Sequence, residues 1–236
     1  MFSAKCPVDG AARDWVEDSL HLLACEFGRE AFAAPTVEPT DAFFPQAYAA
    51  TLDGARTLLK STAGYVGTDL QDVELAVVPT RSPLWLVDDR DHAAAPSAPR
   101  PDPVAITFAV ELADLSEPDV LVAMFARELC GMRLSEEAGV DQDAYDFGPL
   151  ADLLAAFLGL GLFTAALPPV ERLPQERLDP IIPPDRLGYA LAHRAWHAGD
   201  AKPTWAKWLP GPVKANFKPS LRWLLETGSS DFPPLA

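Results

Sequence analysis

Few residues in this 236-residue chain combine a reactive type with a useful spacing. The run Arg127-Glu128-Leu129-Cys130-Gly131 sets a fixed cation, a carboxylate and a thiol within five positions. Glu128 could act as a general base, but only beside a water that some other group activates. Cys130 could be a nucleophile, yet no His lies within a helical turn, and a helix interior does little to lower a thiol's pKa. Its simpler part is to fill the core. His193 and His197, four apart, are the only His pair in the chain with ligand spacing, the spacing by which one helical face offers zinc two imidazoles. No Glu follows His193 and Arg194 sits beside it, which favours ordinary surface or core histidines. Residues 135–146 are acidic and faintly like a calcium loop, but "DQDAYDFG" misspaces the third acid and the Gly and no Glu follows at position twelve. A solvated loop fits better.

These side chains need elements to hold them. Residues 116–134 read as one helix: Ser116 can cap it, Pro118 suits its first turn, and Asp119 lies three residues after the cap. Leu121, Met124, Phe125, Leu129 and Met132 form its apolar face. A second helix begins near Pro149 and carries Leu150, Leu153, Leu154, Phe157, Leu158 and Leu160, with Gly159 and Gly161 admitting a close backbone. Upstream, residues 11–34 hold an amphipathic helix stopped by Gly28, with Cys25 as core filler, and Thr51 opens another helix after an extended connector. Residues 73–79 and 84–87 are short β-like runs, 92–103 a Pro-rich loop, and 104–112 the best strand, with Val104, Ile106, Phe108, Val110 and Leu112 on one face. Downstream, a Pro-rich crossing over 167–184 precedes a helix over 186–198 that Asp185 can cap and Gly199 can end. Val213, Phe217, Leu221, Leu224 and Leu225 form the last stripe, with Pro219 inside it.

The words "LVAMFARELCGMRL" and "DFGPLADLLAAFLGLGLFTAA", with "FFPQAY" near residue 45 and "GYALA" at 188–192, resemble a bacterial group of zincin-type, gluzincin-like metallopeptidase-like proteins. That group carries His-Glu-Leu-x-His on the first helix and an acidic ligand on the next. The resemblance implies an α+β fold, a mostly helical zincin-like domain with a small mixed β-sheet packed on the motif helix. It also implies a site: Arg127 and Gly131 hold the two His positions, Gly148 the Glu ligand's, Glu128 the general base's, and Asp152 that of an acid orienting a metal-bound His. All three ligands are replaced, so the resemblance implies a degenerate member, with no metal, no cofactor and Glu128 vestigial. A guanidinium at a metal position repels a cation and cannot shed its proton. Arg127 is therefore expected to stand in for the ion by pairing with Glu128, Asp146 or Asp152.

Composition sets the remaining bounds. An apolar content of 49% lets residues 1–236 form one domain, divided into 1–115 with the first helices and sheet, 116–167 with the motif helix and its successor, and 168–236. Residues 1–160 carry 27 acids against 10 bases, whereas 161–236 carry 7 against 9. Such a surface disfavours nucleic acid and anionic lipid and favours a basic protein partner, although acids also serve solubility. Lys207, Lys214, Lys218 and Arg222 suit a helix docked on an acidic body better than a nucleic-acid face. Three cysteines without a CxxC, and no apolar leader, fit a cytoplasmic protein. The uncharged run 153–170 is short for a membrane span and reads as a buried helix. The expected function is that of a pseudoenzyme binding other proteins as adaptor, inhibitor or complex subunit. The alternative is a metal-dependent hydrolase with an altered ligand set around Glu128 and Asp152.

Overall fold

The computed structural model describes residues 5–70, 73–78, 106–167 and 181–234. The expected strand at 84–87, the loop at 92–103, the start of the strand at 104 and most of the Pro-rich crossing lie outside the described residues. Helices dominate: α1 (Gly10–Phe27), α2 (Arg29–Phe32), α3 (Leu52–Val66), α4 (Pro118–Glu136), α5 (Phe147–Phe157), α6 (Gly161–Thr164), α7 (Pro184–His197) and α8 (Gly211–Thr227). Two strands, β1 (Val73–Val78) and β2 (Ile106–Glu111), pair in parallel with Val73 opposite Ile106. They are the only ladder among the described residues, so a mixed sheet would need strands outside them.

Local chemistry explains the helix ends. Asp9 Oδ1 accepts the Ala12 N–H at 2.8 Å to start α1, and Thr51 Oγ1 accepts the Gly54 N–H at 3.2 Å to start α3. Gly28 and Gly67 stop them with φ of 82° and 79°, angles that side chains with a Cβ rarely adopt. Two expected caps are not made. Ser116 lies in a 3-10 turn and its hydroxyl donates to Ala113 O, so α4 starts at Pro118 without a side-chain cap or capping box. Asp185 lies inside the first turn of α7, whose cap position is Pro183. Each helix opens with Pro, whose missing N–H leaves one orphan fewer to satisfy.

The apolar stripes meet in one buried cluster. Leu121, Phe125 and Leu129 of α4 are fully buried, each burial contributing about 1.5–3 kcal/mol. Phe108 of β2 meets Phe125 edge-on at 6.0 Å, which seats the strand on the motif helix. Leu112, expected on the same strand face, lies past the strand end and is 67% exposed. Leu225 likewise falls off the α8 stripe at 44% exposure, and Cys25 is exposed rather than core. Arg133 joins α4 to α3: it donates to Val66 O at 2.6 Å, satisfying a carbonyl at a helix end, and forks onto Glu137.

Residues 153–164 of the uncharged run are buried but do not form one helix. The run breaks at Leu158–Leu160, where Gly159 adopts φ 101° and a Cβ would meet Pro35 O at 2.6 Å. A connector carbonyl therefore occupies that space, and Val37 N bonds Gly159 O at 2.9 Å. No helix of the described residues is long and apolar enough to cross a membrane. Gly188 sets the α7–α8 crossing, since a Cβ there would lie 2.8 Å from Val213 O and from Asn216 Cβ. α8 runs through Pro219 without a break.

Candidate functional site

Helices α4 and α5 bring the Arg127 and Asp152 side chains together. Arg127 Nη1 donates to Asp152 Oδ2 at 2.7 Å, and the two side chains are 13% and 1% exposed. The same oxygen accepts the Ile182 N–H at 2.8 Å, tying the segment before α7 to the pair. Asp152, one of the carboxylates expected to neutralise Arg127, is bonded to it. Asp146 instead accepts the Trp15 indole N–H at 3.0 Å. Glu128 follows on α4, half-buried and about 100° round the helix from Arg127.

Gly131 and Gly148 are both buried. A Cβ at Gly131 would lie 3.3 Å from Phe147 Cε1, so an aromatic ring fills the space a longer side chain would take. Cys130 is fully buried, and burial pushes its thiol far above the usual range, making it a poor thiolate donor or nucleophile. A zincin ion would need neutral imidazoles and a carboxylate converging on one point. Here that set holds a guanidinium already bonded to a carboxylate, a glycine under a phenyl ring and a second glycine. These residues do not fit zinc. Among the described residues no group of three His, Cys, Asp or Glu is arranged to hold a metal ion.

The His pair on α7 is drawn into different work, in a cluster that sequence reasoning missed. His193 is fully buried, and its ring nitrogens have no hydrogen-bond partner. Its Nε2 lies 3.7 Å from Glu17 Oε1, close enough to act as a neighbouring charge or dipole. Glu17, on α1, accepts the Tyr189 hydroxyl at 2.5 Å and the Asp231 N–H at 2.9 Å. Burial alone would raise the Glu17 carboxyl, but His193, Tyr189 and the Asp231 N–H outweigh it and hold the group at about 2. Burial lowers His193 and takes His197 down to about 4, so both imidazoles are neutral near pH 7. The legible signal was Glu17 itself, an acid inside the stripe of Ala12, Val16, Leu20 and Leu23. An acid on a buried face implies a partner elsewhere in the chain.

Arg194, beside His193, is an internal staple. It donates to Phe32 O, Phe157 O and Ala156 O, to Ala34 O and to Thr36 Oγ1, joining α7 to the connector and to the end of α5. Burial lowers its guanidinium to about 10, which leaves it charged at neutral pH.

Compared with models of protein families, with curated proteins and with solved structures, the chain matches none.

Proposed function

We propose that this protein is a zincin-like pseudoenzyme, a mostly helical domain with a small sheet on its motif helix, that acts by binding another protein as adaptor, inhibitor or complex subunit. The ion pair between Arg127 and Asp152 carries this reading. On this reading Arg127 is a permanent cation at the position of a zincin metal ligand, and its bond to Asp152 engages the acid that would otherwise orient a ligand. Glu128 then has no metal-activated water to deprotonate and is vestigial as a base. The surplus of 34 acids over 19 bases favours a basic partner and disfavours nucleic acid and anionic membrane surfaces.

Metal analysis of the purified full chain after equilibration with zinc tests the reading. The expected result is no stoichiometric zinc and no peptide hydrolysis. Zinc bound by protein atoms beside Glu128 would overturn it in favour of a hydrolase with an altered ligand set around Glu128 and Asp152. Affinity capture supplies the second arm: a complex of fixed stoichiometry with a protein partner, weakened by salt, supports the binding role.

A further inference from the structure

Beyond Gly228, whose φ of 61° ends α8, residues 229–234 return across the body and dock between α1, α2 and α7. The docking is read largely through backbone atoms. His21 Nε2 donates to Asp231 O at 2.5 Å, His197 Nε2 to Phe232 O at 3.0 Å, and Arg29 to Pro233 O at 3.2 Å, while Glu17 accepts the Asp231 N–H. A carbonyl only accepts, which fixes the proton on Nε2 of both histidines. The Phe232 ring is fully buried, stacked on His197 at 4.9 Å, met edge-on by Phe32 at 5.5 Å and by His21 at 5.1 Å, and covered by the Arg29 guanidinium at 4.3 Å. The Asp231 and Pro233 side chains are exposed.

The segment bends at Asp231 and Phe232, where the Phe232 N–H bonds Ser230 Oγ at 3.0 Å. Backbone groups held by fixed side chains, with one side chain in a pocket, are a means by which proteins recognise short peptide segments. The pocket also has a standing demand. Glu17 is buried and charged, and the Asp231 N–H bonds its Oε2; once that bond is gone the oxygen needs another donor. We propose that the face formed by α1, α2 and α7 is a docking site for a short bent segment of a partner protein carrying an aromatic residue preceded by a peptide N–H, and that residues 229–234 occupy it in cis as a competing pseudo-ligand. The site names a surface for the protein-binding role but does not rest on the reading of the Arg127–Asp152 site. Failure here would leave the metal analysis untouched.

The test uses the full chain carrying Phe232→Ala and a fluorescein-labelled peptide of residues 229–234, read by anisotropy. The expected result is saturable binding to the variant, at least about tenfold weaker binding to wild type because the site is already filled, and no binding of a peptide with Phe replaced by Ala. A folded variant that does not bind the peptide, or that binds the Ala peptide equally, overturns the proposal. Should Phe232→Ala fail to fold, hydrogen exchange of the Asp231 amide in wild type gives the answer. Excess peptide should accelerate that exchange several-fold by displacing the segment, and the Ala peptide should not. Unchanged exchange overturns the proposal.

Discussion

Arg127→Ala separates a structural cation from an idle one. The substitution leaves Asp152, with its side chain 1% exposed, without its guanidinium. Losing one partner of a buried pair costs roughly 3–5 kcal/mol, because the remaining charge keeps its desolvation penalty and loses its compensation. Arg127 retains 13% exposure and Ile182 N–H still bonds the carboxylate, so the lower end, about 3 kcal/mol, applies. For a chain of this size that corresponds to a fall of roughly 6–12 °C in Tm, measured by circular dichroism or calorimetry at pH 7. If the stranded charge is the cause, Asp152→Asn in the same chain should recover at least half of the loss, since the amide oxygen can still accept from Ile182. A single variant melting within about 1 °C of wild type, or a double variant whose losses simply add, would refute the reasoning.

Four further outcomes are expected. Placing ligands back through Arg127→His, Gly131→His and Gly148→Glu should give zinc binding by calorimetry only when Phe147→Ala is added, because the ring fills the space next to residue 131; no zinc even then removes the zincin resemblance. Gly159→Ala should cost at least about 2 kcal/mol in denaturant unfolding, combining a positive φ with a clash on Pro35 O. Arg194→Met should cost at least about 3 kcal/mol by leaving several buried carbonyls without their donor. On acidification, the unfolded chain takes up a proton at His197 near 6.5 that the fold, holding this group at about 4, refuses. Stability should therefore fall as pH drops from about 6.5 to 4, with Glu17 extending the loss from about 4.5 toward 2. Urea midpoints at pH 7, 5.5 and 4.5 check this, and His197→Gln should flatten the upper part.

The helices were legible wherever a short-range signal coincided with an apolar stripe. Thr51 and Gly28 mark real boundaries because each acts on backbone within a few residues. Ser116 and Asp185 have the right types but stand on either side of the cap position, Ser116 in a 3-10 turn two residues before α4 and Asp185 already inside the first turn of α7. Leu112 and Leu225 fit their periods and still face solvent, because periodicity cannot tell where a strand or a buried stripe stops. Within the site, Arg127 and Asp152 were singled out through the resemblance, which left three carboxylates open as partners; the α4–α5 packing that brings Arg127 to Asp152 is a contact 25 positions apart. The Glu17 cluster joins residues 172 and 214 positions apart, and no local pattern encodes such a separation.

The two buried carboxylates are neutralised by different means, and the difference separates their roles. Asp152 is met by a full cation from the neighbouring helix and by the Ile182 N–H. Glu17 is met by neutral donors, one of which, the Asp231 N–H, belongs to a short segment held largely through its backbone. A guanidinium has no ready substitute, whereas any peptide can supply an N–H. On that ground the Arg127–Asp152 pair fixes the fold, and the face that reads Phe232 is the one built so that its occupant can be exchanged.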